Sequence, residues 1–238
     1  MVKLVFTPDW FLGKDILISF FSFFVLAILF WLSFKNYKFS KDKKNFLYFG
    51  LGFLLIALGE LSTILTKLVL YYNTTFTQQI GQMIVTYNVV NSVDIFYKIG
   101  FFLYKLLTLA GLYTIYRVNY KQTTETDVML ASYFIILSTA LSSSFYYLFH
   151  LTALILLIFI IASYIRLYKK NRLTNTKILI SAFSLLAFSQ LIFIFSKLDV
   201  LFVLANIIQL LSYIIFLILV IKITRPLNLK NEKKKKQN

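Results

Sequence analysis

The sequence predicts an all-α polytopic membrane protein: a seven-transmembrane helix bundle with its amino end outside and its carboxyl end cytoplasmic. Three observations carry that expectation. Hydrophobic residues make up 59% of the 238 residues and aromatic residues 18%, more apolar than the roughly half found in soluble domains. Several runs exceed ~18 residues with almost no charge, the signature of helices that cross a bilayer. The basic residues, which give a net charge of +16, gather in alternate connections.

The expected spans are 16–34, 46–70, 94–117, 128–146, 148–166, 177–195 and 200–222. Each is near the ~20 residues that cross a ~30 Å hydrocarbon core. In lipid every backbone polar group needs an internal partner, so the spans are helices. The start, "MVKLVFTPDWFLGKD", has acids and a tryptophan but no cleavage-site pattern, so the first span serves as its own signal.

Span two, 46–70, holds Glu60 and Lys67 within "LIALGELSTILTKLVLYY". The outer loop that follows, 71–93, has no charge. Ile80, Met83, Ile84, Tyr87 and Val90 recur there at helical spacing. An interfacial helix lying on the membrane and a lid over an outward cavity both fit. The sequon Asn73-Thr74-Thr75 makes Asn73 a glycosylation candidate on the outer side. Span three, 94–117, carries Lys98 and Lys105. Spans four and five must share residues 128–166, with "SSS" at 142–144 and "YYLFH" at 146–150 as turn material. One long tilted helix, giving six spans, is the alternative.

Orientation follows from lysine and arginine. All of the 25 basic residues fall in the 1–2, 3–4 and 5–6 connections or the tail, except Lys3, Lys14, Lys67, Lys98, Lys105 and Lys197. The charged side is therefore the cytoplasmic one, and the charge reports topology rather than nucleic-acid binding. The domain plan is a transmembrane unit, 1–224, and a polybasic cytoplasmic tail, 225–238. In the tail, Lys230, Lys233, Lys234, Lys235 and Lys236 are placed against anionic lipids of the cytoplasmic face. Docking of the tail to an acidic protein is the alternative.

Charges inside the spans need a reason, because an unpaired one costs ~2.5–3.5 kcal/mol or more at mid-membrane. At ~1.5 Å of rise per residue, Glu60 lies about 9 Å below the outer boundary, Lys98 about 5 Å and Lys105 about 15 Å. Glu60, Ile64, Lys67 and Tyr71 form one stripe on span two, and Asp94, Lys98, Phe101, Lys105 and Thr108 one on span three. A Glu60 pair with Lys105 or Lys98 is expected, with Lys67 snorkelling to the headgroups. Gln190 on span six and Asn206 and Gln209 on span seven fall at ~8–12 Å depth. Glu60, Lys98, Lys105, Gln190, Asn206 and Gln209 are thus the candidate ligand-binding residues, lining an outward polar cavity. Interhelical glue is the competing reading. His150, by the turn after span four, reads as a structural interfacial residue.

Much chemistry is excluded. Cysteine is absent and histidine occurs once, which removes thiolate chemistry and multi-histidine metal sites. Intramembrane aspartyl catalysis needs two interior carboxylates, and the spans supply Glu60. Phosphate loops and dinucleotide fingerprints are missing. No cofactor, metal or enzymatic activity is expected.

The segments "FLYFGLGFLLIALGELS" (46–62) and "LFVLANIIQLLSYIIFLILVIKI" (201–223), in their order along the chain, resemble a group of uncharacterised small archaeal seven-transmembrane proteins. The layout is also similar to the seven-span sensor modules of some histidine kinases. The resemblance implies a prokaryotic plasma-membrane location and a receptor- or sensor-like role. Such sensors signal to an attached cytoplasmic domain. Here the sequence closes on a short lysine tail, so a sensor role calls for a separate membrane protein partner. A structural subunit of a membrane complex and a small transporter or channel are the other expectations.

Overall fold

The computed structural model describes residues 7–39, 43–80, 83–118, 124–196 and 198–235, with the side chains of 9, 39, 43, 70–80, 83–96 and 224–235 outside that description. A 3-10 turn at Asp9–Phe11 leads into α1 (Lys14–Phe39), α2 (Lys43–Ile80), α3 (Met83–Arg117), α4 (Glu125–Leu141), α5 (Tyr147–Asn171), α6 (Thr174–Phe193) and α7 (Asp199–Lys235). Among the described residues the chain is all helical. Six of the helices, all but α4, are long and apolar enough to cross a membrane.

Where the fourth span, 128–146, is expected, the structure has the shorter helix α4. α4 stops at Leu141 after 17 residues, about 25 Å of helix, short of a ~30 Å core. The three serines end it. Ser142, Ser143 and Ser144 turn the chain through backbone bonds to Ser138, Ala140 and Leu141, at 3.0, 3.3 and 3.1 Å. α5 then starts afresh, so a single tilted helix over 128–166 is ruled out. The expected outer loop 71–93 also differs: α2 stays helical to Ile80 and α3 begins at Met83. Asn73 and the tail lysines lie outside the described side chains.

The helices form a ring. α1 packs on α2, α2 on α3, α3 on α5, α5 on α6, α6 on α7, and α7 returns to α1. α4 leans on α3 and α5 from outside the ring, and within it Ile135 and Thr139 are the buried positions. At the ring's centre the rings of Phe53, Phe183 and Phe216 meet with centroids 5.2–6.5 Å apart. Tyr164 stacks on Phe183 at 5.9 Å.

Glycine decides how closely α2 and α3 approach. A Cβ on Gly111 would stand 2.6 Å from the Gly52 carbonyl oxygen, and one on Gly59 would stand 3.2 Å from that of Tyr104. Small residues at a crossing let helix backbones touch in a bilayer. The contact continues outward, where Ser62 Oγ donates to the Gly100 carbonyl at 2.9 Å. It fixes the level of Glu60 on α2 relative to Lys105 on α3.

Candidate functional site

A cavity of about 890 Å³ lies toward one end of the ring. It is built from the start of α1, the middle of α2 (60–67), the middle of α3 (97–105), the α4–α5 turn, the end of α6 and the start of α7. That is the end remote from the basic 1–2, 3–4 and 5–6 connections. Glu60, Lys98, Lys105, Asn206 and Gln209 all line it, so five of the six residues singled out from sequence come together. Gln190 stands behind the wall, buried, and reaches the cavity through His150.

Glu60 is 3% exposed. Gln209 Nε2 donates to its Oε1 at 3.3 Å, and the hydroxyls of Ser19 and Tyr213 also hydrogen-bond its side chain. One carboxylate thus ties α1, α2 and α7 together. Buried charge is tolerated when its lone pairs are filled by such donors. The expected Glu60–Lys105 or Glu60–Lys98 pair is not formed. Glu60 turns instead toward α1 beside it and α7 beyond, through Ser19, Gln209 and Tyr213. Lys105 turns the other way, and its Nζ donates to the Ser142 carbonyl at 3.1 Å, bracing the end of α4. Lys98 is exposed at the cavity edge.

Lys67 does not snorkel. Its Nζ lies 2.7 Å from Asp15 Oδ2, with the two side chains 9% and 0% exposed. Thr7 Oγ1 donates to the same oxygen at 3.2 Å, and the Ile16 backbone N–H to the other at 3.0 Å. Asp15 also sits in the first turn of α1, where the helix dipole favours an anion.

His150 is likewise more than an interfacial side chain. Its Nδ1 is 2.8 Å from Gln190 Oε1, and its ring stacks on Phe193 at 5.0 Å and 17°. An amide oxygen only accepts, so in this arrangement the imidazole carries its proton on Nδ1. Asn206 Nδ2 is held by the Phe202 carbonyl one turn back, at 2.8 Å.

Apolar and aromatic side chains supply much of the remaining wall, among them Phe101, Tyr104, Phe149, Phe193 and Phe202. The volume is in the range of pockets that enclose a small organic molecule. Polar groups of fixed direction on an apolar wall can orient such a molecule. The cavity does not run through the bundle, because the Phe53, Phe183 and Phe216 cluster fills the ring on the other side of Glu60 and Tyr213. Asp15, Tyr104 and Ser142 are the residues that sequence reading missed. No known protein family, curated protein or solved structure matches the chain.

Proposed function

We propose that this is a non-enzymatic, receptor- or sensor-like membrane protein whose cavity is an outward-facing ligand pocket. On this reading α4 enters the bilayer as a short seventh span. The basic connections then lie in the cytoplasm, the amino end lies outside, and the cavity faces out. One observation carries the proposal. Glu60, Lys98, Lys105, Asn206 and Gln209, from three helices, converge on a single cavity at the end away from the basic connections. Helix glue alone needs no such enclosed volume.

The aromatic floor counts against a transporter, because a polar path does not continue past Tyr213. A structural subunit of a membrane complex is the second reading. It is favoured by the outer face of α4, where Met129, Leu130, Tyr133 and Phe134 are each more than half exposed. A peripheral helix of this kind fits a partner chain.

The test is native mass spectrometry of the chain extracted gently from its own membrane. A reproducible small-molecule adduct that Lys105→Met abolishes, with the protein still folded, is the expected result. A reproducible protein partner and no adduct would replace the pocket with the subunit reading.

A further inference from the structure

The charges at the cavity are unequal in what they still have to offer. Glu60 is filled by Gln209, Ser19 and Tyr213. Lys67 is filled by Asp15. Lys105 makes one hydrogen bond, to a backbone carbonyl, and no carboxylate among the described residues stands within ion-pair distance of it. An ammonium has three donors, so two of them remain for a guest. Lys98 lies two turns away on the same face of α3 and also lines the cavity. The open donors of Lys105 therefore give the cavity a cationic anchor.

The mouth lies at the side. Of the lining residues, those that are exposed fall in two places: Lys98, Ile99, Phe102 and Leu103 on α3, and Ala140, Ser143 and Ser144 at the end of α4. Ile99 is 56% exposed. The physical cause is the short α4, which leaves the outer turns of α3 uncovered. Thr7 also lines the cavity and is buried. A membrane-embedded opening rimmed by Ile99, Phe102 and Leu103 faces acyl chains rather than water.

We propose that the cavity takes an amphipathic anion from the bilayer: a single-chain lipid whose carboxylate or phosphate sits on Lys105, entering between α3 and the end of α4. This rests on reading the cavity as a ligand pocket. The apolar walls receive the chain and the cationic anchor receives the head. A water-soluble anion would gain the second contact and lose the first.

The test uses the full chain in phosphatidylcholine nanodiscs with radiolabelled palmitate as the probe. Saturable palmitate binding is expected, displaced by excess lysophosphatidate and not by acetate or the cationic amphiphile sphingosine. Lys105→Met should weaken it roughly ten- to a hundredfold, the scale of one lost hydrogen bond to a charged group, and Lys105→Arg should retain it. Ala140→Trp, at an exposed position and so tolerated by the fold, should block entry. Saturable binding of lysophosphatidate without palmitate would assign the head as a phosphate, and the reverse as a carboxylate. Equal displacement by sphingosine, displacement by acetate, or unchanged affinity in both Lys105→Met and Ala140→Trp overturns the proposal. If neither lipid binds saturably while the native adduct persists and depends on Lys105, the pocket stands and its lipid occupant falls. If the adduct is missing as well, both fall.

Discussion

The ammonium of Lys67 stands 2.7 Å from a carboxylate oxygen of Asp15, joining α2 to α1 where both side chains are buried. Removing one partner strands the other in a low-dielectric site. Asp15→Asn or Lys67→Met should each destabilise the protein by about 3–5 kcal/mol. The double variant should recover much of that loss, because no uncompensated charge is left. Chemical denaturation in detergent, read as a double-mutant cycle, checks it. Single effects that simply add would show that the pair carries no coupling.

The helix pair α2–α3 depends on backbone contact at Gly52 and Gly111. Gly111→Ala would place a methyl 2.6 Å from the Gly52 carbonyl oxygen and equally close to Ile56 Cγ1. The crossing must open, and overpacking of this kind costs about 1–3 kcal/mol. Gly50→Ala, on α2 but facing α1, makes a control, since its nearest neighbour is the side-chain Cβ of Ser33 at 3.0 Å. Thermal unfolding of the two variants should rank Gly111→Ala as the less stable. Because the crossing sets the level of Lys105 relative to Glu60, ligand binding should weaken with it.

The spans were legible because apolar length is a one-dimensional signal. The ends were not. Placing the first span at residue 16 put Asp15 outside it, so its burial against Lys67 stayed hidden and Lys67 was assigned to the headgroups. Helical periodicity put Glu60 on one stripe and Lys98 and Lys105 on another, and the three line one cavity. It could not give their partners, because α2 has α1, α3 and α7 in reach and Glu60 turns to α1 and α7 and away from the lysines of α3. The short α4 was hidden in the run 128–166, where apolar residues continue through the serine turn. Gln190 and His150 lie 40 positions apart, and no local pattern joins them.

At the start of α4, Thr124 and Asp127 form a reciprocal capping box. The Asp127 N–H donates to Thr124 Oγ1 at 3.2 Å, and the Thr124 N–H donates to Asp127 Oδ2 at 3.0 Å. Hydrogen bonding to the carboxyl from the Thr124 hydroxyl and from its backbone N–H holds the exposed Asp127 carboxyl below its ordinary value of 3.8. A depressed folded-state value means that the contribution is present above 3.8 and is lost as pH falls through the folded value. Amide exchange over 125–128 should therefore be slow at neutral pH, relative to the intrinsic rate, and lose protection in acid below that value. Thr124→Ala should raise exchange there at neutral pH and remove the acid dependence. A variant with unchanged protection would show that the box does not hold the helix start.

Glu60 and Gln209 meet at 3.3 Å across the ring, and the two conservative changes at Glu60 separate structure from binding. Glu60→Leu removes the acceptor that serves Gln209, Ser19 and Tyr213 together. Each buried donor left unsatisfied costs about 1–3 kcal/mol, so the variant should be severely destabilised. Glu60→Gln keeps an acceptor oxygen and a similar shape, so it should fold with a smaller loss. Its effect on ligand should go the other way. With the carboxylate neutralised, the cavity wall is more cationic, and palmitate held at Lys105 should bind as tightly as before or more tightly. Denaturation and palmitate titration on the same nanodisc samples read both effects. A Glu60→Gln variant that folds but loses palmitate would count against an anionic head held at Lys105 alone.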